Sequence, residues 1–417
     1  MREDLQAAKK RLLWLCTAAY TVAYFCRTNL SLALDDLIAG LSISKSSAGL
    51  IGTVFFWTYA LGQLLCGWLG SRYSLKRLIM VGFLLSGVSN LGIAFSSRYL
   101  PVLLCWMMNG LALSLMWPSI VGMVSRWFSP EEYGKVFIYL NLPTTVGYLI
   151  SWGTLGPIGR RFGWRPVFWI PALVAVLFTA LWICMAKDSP EEAGFQADFA
   201  RPEEGTEEPA AERRLPLWRV LCTWTMLVFA VLTLIQGSTR ESLNLWAPSM
   251  LTETGAGLPD WMLSGGIMLV QVFSTAGLLA TGGLLRRRQS GFDSLFIFLL
   301  AFGAACSWIL ALCHENFFLS LTMMGLMLGV LYGTSGTLTT MVPLRFAATG
   351  HSTAVTGILN FMAYLGAAIG GVLSGFVSGR WGWERVYLLW AALGMLALII
   401  MLLSSFFTYQ QQRRPDR

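Results

Sequence analysis

Long stretches without a charged residue constrain this chain more than any other feature. Each of nine intervals between successive charges holds 20 or more residues, enough for a helix to cross a hydrocarbon core of about 30 Å. Only helices and closed barrels satisfy their backbone polar groups in lipid, and these intervals lack the strict alternation of a barrel strand. Charged residues make up 12% of the chain, against roughly a quarter in a soluble domain. The pattern therefore predicts an all-α membrane protein. The intervals run from Lys45 to Arg72, Arg77 to Arg98, Arg98 to Arg126, Lys135 to Arg160, Arg219 to Arg240, Asp260 to Arg286, Glu315 to Arg345, Arg345 to Arg380 and Arg385 to Arg413.

We predict twelve membrane-spanning helices. With the amino terminus inside the cell, 21 of the 30 basic residues fall on the cytoplasmic side and seven outside, although Arg160, Arg161 and Arg165 run against this trend. Because such an excess sets the orientation of membrane proteins, we predict cytoplasmic termini and a location in the plasma membrane, the bacterial inner membrane. The first apolar stretch lacks a clear cleavage site, so we expect it to remain as the first helix. The predicted helices cover 12–35, 47–69, 78–96, 100–124, 134–157, 166–186, 219–246, 260–284, 291–312, 316–341, 352–376 and 385–408.

The chain also repeats itself at about half its length. GRRFGWRPVFWI at 159–170 resembles SGRWGWERVYLLW at 378–390, which places Trp164 and Trp383 219 residues apart. An acidic, proline-rich and alanine-rich stretch separates the halves and suits a flexible cytoplasmic linker. Such repeats predict two pseudo-symmetric six-helix bundles with a solute site near mid-membrane between them. The predicted parts are an amino-terminal bundle (1–186), the linker (187–217) and a carboxy-terminal bundle (218–417).

Several classes of protein are disfavoured. The net charge of +8 could suit a nucleic-acid binder, but the excess of basic residues in cytoplasmic loops explains it better. The eight cysteines lie in or beside apolar segments without the spacing of a disulfide framework or a metal site. No nucleotide-binding loop or nucleophile–base arrangement is visible, so we expect no enzyme, no ATP-driven pump and no cofactor. The expected partners are a small anionic solute, the lipid bilayer and either a counter-anion or a proton, and we expect a monomer.

Two arginines interrupt apolar helices. Arg27 lies in the first predicted helix and Arg240 in the seventh, 213 residues apart and close to the repeat offset. A charge at bilayer depth is costly, so it normally faces a protein interior or a wet cavity. Each arginine could instead reach the membrane interface or pair with a carboxylate such as Glu241. Equivalent positions in two halves favour a shared anion site, because a guanidinium matches phosphate or carboxylate oxygens and stays charged.

Two carboxylates beside this candidate site could couple or gate transport. Glu241 could turn away to a polar neighbour, neutralise Arg240 when the site is empty, or carry a coupling proton. Because neighbouring residues on a helix point about 100° apart, we favour the first interpretation. Asp35 and Asp36 close the first predicted helix and are expected at its outer rim, as a gate or as solvated residues.

Four segments of the chain carry a resemblance to a known family. They are YFCRTNLSLAL (24–34), STRESLNLWAPSML (238–251), NGLALSLMWPSIVGMVSRWFSPEEYGKV (109–136) and SPEEAGF (189–195). These segments resemble the major facilitator superfamily and, within it, the organophosphate:phosphate antiporter family. The resemblance covers nearly the whole chain. It implies a twelve-helix transporter that binds a phosphorylated solute through Arg27 and Arg240.

Departures from the family pattern leave the substrate and the mode of coupling open. Thr28 and Gln63 stand where the family has lysines, Thr144 replaces a histidine of the glycerol-3-phosphate branch, and Ser71 replaces a loop aspartate. The two arginines then give the site a formal charge of about +2 before Glu241 is counted, which would neutralise the charge of a phosphate monoester. We keep Gln63 as a possible coupling or gating residue. An anion:cation symporter for sugar acids and a membrane sensor of a sugar phosphate remain as alternatives, although the fourth helix lacks the charged pair of that symporter family.

Polar and aromatic residues on the predicted cavity helices are candidate solute ligands. The resemblance favours Tyr24, Tyr59 and Asn141 among them. Glycine clusters on the tenth and eleventh predicted helices are expected to form small-residue faces for close helix packing. The candidate ligands are Tyr24, Tyr59, Asn141, Thr144, Tyr332, Asn360 and Tyr364.

Overall fold

The computed structural model describes residues 2–70, 72–128, 132–195, 222–287, 292–338, 342 and 352–412. Across these residues the long elements are all helices, and no strand is present. This confirms the all-α prediction. The helices are α1 (Arg2–Leu41), α2 (Lys45–Gly70), α3 (Leu75–Ala94), α4 (Tyr99–Ser114), α5 (Met116–Trp127), α6 (Tyr133–Phe162), α7 (Pro166–Met185), α8 (Trp224–Thr254), α9 (Asp260–Arg287), α10 (Phe292–Cys313), α11 (Phe317–Gly336), α12 (Ser352–Trp381) and α13 (Trp383–Gln412).

The predicted fourth membrane helix is divided at Leu115 into α4 and α5. Pro118 lies in the first turn of α5. A proline has no amide hydrogen, so it cannot donate to the carbonyl four residues back, at Ser114. Just before the proline, the amide of Leu115 donates to the carbonyl of Ala112, three residues back, and this shorter bond tightens the turn. The two helices together still form one membrane span, Tyr99–Trp127.

Eight helical stretches among the described residues are long and apolar enough to cross a membrane by length and composition. Neither α1 nor α8, the helices that carry Arg27 and Arg240, belongs to this set. Both helices bury polar side chains, including Asn29 on α1 and Asn244 on α8. Their lower hydropathy therefore comes from polar groups held inside the protein, where hydrogen bonds can replace those to water.

The chain divides into two compact units, which are Met1–Ser44 with Leu50–Thr206 and Lys45–Gly49 with Glu207–Arg417. In the first unit, α1 packs on α6 and α7, and α3 packs on α4 and α7. In the second unit, α8 packs on α12 and α13, and α10 packs on α11 and α13. The same order of helices thus makes the same contacts in each unit, as expected for an internal repeat.

The repeated segments also share one backbone feature. Gly163 follows α6 with φ +80°, and Gly382 follows α12 with φ +81°. A left-handed conformation favours glycine, so both turns need this residue type. The next residue in each turn is a buried tryptophan, Trp164 and Trp383. The sequence repeat is therefore also a structural repeat.

Glycines allow close helix crossings in the second unit. A Cβ atom at Gly366 or Gly370 of α12 would collide with the backbone of α8, and one at Gly325 or Gly333 of α11 would collide with side chains of α9. This confirms the prediction that these clusters are packing faces. Close backbone approach is the usual source of helix association in lipid, where no hydrophobic effect drives apolar helices together.

Candidate functional site

Arg27 of α1 lies among four aromatic rings. Its Cζ atom is 5.5 Å from the ring centroid of Tyr24, 5.4 Å from that of Phe55, 5.6 Å from that of Phe56 and 5.2 Å from that of Tyr59. The faces of aromatic rings are electron-rich, so they stabilise a cation that has lost part of its hydration. Arg27 as a whole residue is half-buried.

An aromatic wall continues along α1 from this arginine. Tyr20, Tyr24 and Arg27 are spaced by four and three residues, so they lie on one face of the helix. The ring of Tyr20 is 5.1 Å from that of Tyr24 and 5.0 Å from that of Trp117, and Tyr24 is 5.8 Å from Tyr148. Trp117 and Tyr148 come from α5 and α6, so three helices build the wall.

Buried asparagines fix the rotation of α1 around Arg27. Asn29 Nδ2 donates to Asn90 Oδ1 at 2.8 Å and to the carbonyl of Val167 at 3.0 Å. Asn109 Nδ2 donates to the carbonyl of Cys26 at 3.0 Å. All three asparagines are fully buried, where an unmade hydrogen bond is costly. Bonds on both sides of Arg27 therefore hold this stretch of α1 in one orientation.

Arg240 of α8 is held by an ion pair instead of by a set of rings. Its Nε and Nη2 atoms lie 2.9 Å and 2.8 Å from the same oxygen, Oε1 of Glu241, and its Nη1 donates to Ser335 Oγ. The Tyr332 ring centroid lies 5.5 Å from the guanidinium. The side chains of Arg240 and Glu241 are only 13% and 8% exposed. The preferred prediction for Glu241 is therefore wrong, because the two long side chains curve together despite the 100° between their positions.

Hydrogen bonds extend from this ion pair across the second unit. Asn244 Nδ2 donates to the hydroxyl of Tyr332 at 3.2 Å, and Gln271 Nε2 donates to Asn244 Oδ1 at 3.1 Å. Ser274 Oγ donates to Gln271 Oε1 at 3.2 Å. The network joins α8, α9 and α11, so the position of the Arg240 ion pair depends on three helices.

The structure brings some of the predicted site residues together. Tyr24 and Tyr59 contact Arg27, and Tyr332 contacts Arg240. Asp35 is half-buried in α1, which continues for six more residues, so it does not close its helix as predicted. The side chain of Asn141 lies outside the described residues. The remaining candidates are half-buried and stay predictions: Gln63 on α2, Thr144 on α6, and Asn360 and Tyr364 on α12.

Sequence reasoning missed several neighbours of the two arginines. Phe55, Phe56 and Ser335 are ordinary residues of apolar helices, and nothing in the sequence marks them as partners of a charge. Asn244 could have been found, because it lies four residues after Arg240 and therefore on the same helix face.

Comparisons with known proteins agree with this architecture. The probable hexose phosphate transport protein of Chlamydia trachomatis is 25% identical to this chain over 422 residues, covering 94% of the chain and 90% of that protein. The membrane sensor protein UhpC of Escherichia coli is 20% identical, covering 93% of the chain and 90% of that protein. These relatives confirm the resemblance to the organophosphate:phosphate antiporter family.

Solved structures and a family model lead to the same conclusion. A bacterial homologue of the human lysosomal transporter Spinster, in an inward-facing and unoccupied conformation, superposes with a TM-score of 0.79 at 12% identity, covering 95% of this chain and 97% of that one. The family model described as Major Facilitator Superfamily matches residues 16–371. Its members are transporters and not enzymes, which confirms the prediction that this chain is not an enzyme. The chain is a multi-pass membrane protein that belongs to the Major Facilitator Superfamily.

Proposed function

We propose that this protein is a secondary active transporter of an anionic organic solute, an organophosphate such as a sugar phosphate or a glycerol phosphate. The observation that carries the proposal is the pair Arg27 and Arg240, which occupy corresponding helices of the repeat and lie half-buried among polar and aromatic groups. A half-buried charge in a membrane helix costs free energy, and the binding of an anion would offset this cost. The relatives named above support phosphate esters as the class of solute.

The chemistry of the two arginines suits a phosphate ester. A guanidinium presents a planar set of donors that matches two oxygens of a phosphate and stays charged at every physiological pH. A phosphate monoester carries a charge of roughly −1.5 to −2 at neutral pH. By formal charge the two arginines carry +2 and Glu241 carries −1, which leaves a net positive charge to attract an anionic solute.

Transport then proceeds by alternating access, with the two six-helix bundles moving as bodies around the bound solute. We propose that the bundles comprise 1–186 and 218–417, that the linker 187–217 joins them in the cytoplasm, and that both termini are cytoplasmic in the bacterial inner membrane. The excess of basic residues in the loops assigned to the cytoplasm supports this orientation. The protein acts as a monomer in this proposal.

Replacing each arginine by lysine tests the anion site. Arg27→Lys and Arg240→Lys keep the charge but lose the bidentate donor geometry, so we expect each to weaken solute binding roughly 10- to 100-fold. Binding is measured as the thermal stabilisation of purified protein by sugar phosphates, glycerophosphates, inorganic phosphate and sugar acids, because a ligand of the native state raises the unfolding temperature. Uptake into liposomes is measured on the same variants.

Arg98→Lys is the matched control, because Arg98 is an exposed residue at the amino end of α4. We expect this variant to bind and transport like the wild type. Full binding and uptake by both site variants would contradict the proposed function. Stabilisation by sugar acids but not by phosphate esters would instead favour a sugar-acid symporter.

The similarity to UhpC favours one further candidate, a membrane sensor that binds a sugar phosphate without transporting it. Such a protein would need the same arginines and the same fold. Purified protein in liposomes separates the two functions, because a transporter accumulates labelled solute and a sensor only binds it.

A further inference from the structure

A cavity lies inside the second unit, between α8, α10, α11 and α13. Fifteen residues of these four helices line it, and it measures about 450 Å³, including the part that is open. Arg240, Glu241 and Ser335 are not among the lining residues. The cavity is therefore separate from the ion pair described above, although it shares α8 and α11 with that pair.

The lining is apolar except at three residues, Gln236, Thr239 and Thr334. The hydroxyl of Thr239 donates to the carbonyl of Ile235 at 3.1 Å. The hydroxyl of Thr334 donates to the carbonyl of Val330 at 2.9 Å. Each hydroxyl hydrogen is thus used within its own helix, a common arrangement for threonine in helices. The polar side chain that remains to be accounted for is that of Gln236.

One atom of Gln236 lacks a hydrogen-bond donor. The residue is 4% exposed, and its Nε2 donates to the carbonyl of Leu331 at 2.8 Å. This bond fixes the orientation of the amide, because a flipped amide would set its own oxygen against the oxygen of that carbonyl. Oε1 then accepts no hydrogen bond from the part of the chain that the structure describes. A buried polar atom without a partner is costly, so this oxygen favours a ligand with a donor group.

Water alone does not match this cavity. A water molecule takes up about 30 Å³ in the liquid and makes roughly two to four hydrogen bonds when buried, whereas the cavity is many times larger and its lining is mostly apolar. Apolar cavities in proteins stay dry and bind apolar molecules. Ligand sites commonly combine an apolar lining with a few polar groups that fix the orientation of the ligand.

Lipid is the expected route of an apolar molecule to this cavity. Gly303 of α10 and Gly394 of α13 line the cavity and are partly exposed. Their neighbours Phe302 and Met395 are exposed apolar side chains, which in a membrane helix face the lipid tails. A molecule dissolved in the bilayer is therefore expected to reach the cavity through this surface.

We infer that this cavity is a second binding site and that it takes a small apolar alcohol. The hydroxyl group of the alcohol donates to Gln236 Oε1, and the apolar body of the alcohol packs against Met327 and Trp390. The site binds an uncharged ligand and contains neither arginine, so the inference goes beyond the proposed function and does not depend on it. Because α8 and α11 also carry Arg240 and Ser335, a bound alcohol contacts two of the helices that hold the ion pair.

The fluorescence of Trp390 tests whether the cavity takes up such a molecule. Trp390 lines the cavity and is 2% exposed, so a quencher in the cavity contacts a tryptophan that is otherwise shielded. Bromine quenches tryptophan fluorescence on contact, so 4-bromophenol is added to the purified protein in lipid nanodiscs. We expect saturable quenching in the wild type and its loss in Trp390→Phe, which keeps a ring at this position. Quenching without a saturable part, equal in both proteins, would show partitioning into lipid alone and would overturn the inference.

Replacing Gln236 by leucine tests the hydrogen bond. 4-Bromotoluene has nearly the same shape as 4-bromophenol but has no hydroxyl group to donate. We expect the wild type to prefer the phenol, and Gln236→Leu to lower the ratio of the two affinities by roughly 3- to 30-fold, because the acceptor is gone. An unchanged ratio would overturn the inference.

Thr233→Val is the matched control for this variant. Thr233 is buried on α8, three residues before Gln236, and lies outside the lining of the cavity. The substitution also replaces a polar side chain of this helix by an apolar one, so we expect the ratio of affinities to stay at the wild-type value. An equal fall of the ratio in both variants would contradict a specific bond to Gln236.

Filling the cavity tests where the probes bind. Ala397 is a buried lining residue, and leucine at this position adds an apolar side chain with little change in helix propensity. We expect Ala397→Leu to lose the saturable quenching by both probes while it still unfolds cooperatively on heating. Saturable quenching that persists in this variant would place the probes elsewhere and overturn the inference.

The arginine variants separate this inference from the proposed function. We expect Arg27→Lys and Arg240→Lys to bind 4-bromophenol like the wild type, because neither arginine lines the cavity. Normal binding of phosphate esters by these variants would overturn the proposed function and leave the apolar site standing. The absence of saturable quenching in the wild type would do the reverse.

Discussion

At the scale of single residues, two guanidinium groups in membrane helices are stabilised in different ways. Four aromatic rings contact Arg27, whereas Arg240 pairs with a carboxylate and a serine hydroxyl. Rings attract a cation without neutralising its charge. The carboxylate of Glu241 offsets the charge of Arg240. The two arginines therefore lie in different electrostatic surroundings.

The ring of Tyr59 provides a test of this difference. Tyr59 is buried on α2, and its ring is the one closest to the Arg27 guanidinium. We expect Tyr59→Leu to weaken solute binding by about two- to thirtyfold, because an interaction of roughly 0.5–2 kcal/mol that positions Arg27 is lost. Isothermal titration with the solute identified in the stability panel measures the change.

Tyr59→Phe is the control for this variant, because it keeps the ring and removes only the hydroxyl. We expect it to bind nearly as well as the wild type. Equal losses of affinity for the solute in the phenylalanine and leucine variants would show that the hydroxyl acts on the solute and that the ring does not contribute.

At the scale of helices, polar clusters and glycines determine how neighbouring elements meet. Asn29, Asn90 and Asn109 connect α1 to α3, α4 and α7 through hydrogen bonds that lipid cannot replace. Gly237 and Gly366 let α8 and α12 approach so closely that a Cβ atom on either would collide with a backbone carbonyl, of Ala363 and Leu234 respectively. These contacts therefore fix the positions of the helices that carry Arg27 and Arg240.

A valine at Gly366 should separate α8 from α12. We expect Gly366→Val to lower the free energy of unfolding by about 1–3 kcal/mol, because the added side chain meets backbone atoms that cannot turn aside. The loss is measured as a lower thermal unfolding temperature in detergent.

Gly357→Val is a control on the same helix, because no atom lies within 4 Å of the Cβ position at Gly357. Both substitutions change helix propensity by the same amount, so the difference between the unfolding temperatures of the two variants reports the effect on the helix crossing alone. Equal unfolding temperatures for the two variants would contradict the packing interpretation.

At the scale of the whole molecule, the repeat explains why each unit contains the same helix contacts and the same left-handed glycine. A repeat of this kind places corresponding helices in both halves, which is how one chain obtains a matched pair of arginines. The proposed orientation in the membrane rests on the loops, because an excess of basic residues favours the cytoplasmic side.

Cysteine labelling tests that orientation. Cys222 is exposed just before α8, and Ala256 is exposed in the turn after it, at the opposite end of the helix. In a background with Cys184→Ser, we expect a membrane-impermeant maleimide added to intact cells to label an Ala256→Cys variant and to leave Cys222 unlabelled until the cells are opened. Labelling of Cys222 in intact cells would reverse the proposed orientation.

The sequence by itself determined the number and approximate positions of the membrane helices, the repeat and the two arginines. These features are local, because hydropathy and charge decide whether a segment enters lipid, whatever the rest of the chain does. The predicted segments 166–186, 260–284 and 352–376 accordingly lie close to Pro166–Met185, Asp260–Arg287 and Ser352–Trp381.

Only the tertiary structure decided which groups meet the arginines. Phe55 and Ser335 are distant in sequence from Arg27 and Arg240, and their contacts depend on how helices cross and rotate. Even the adjacent Glu241 could not be assigned from helix geometry, because two long flexible side chains can bend together when burial makes an unpaired charge costly. Lipid selects which segments become helices, and packing between those helices selects the partners of each charge.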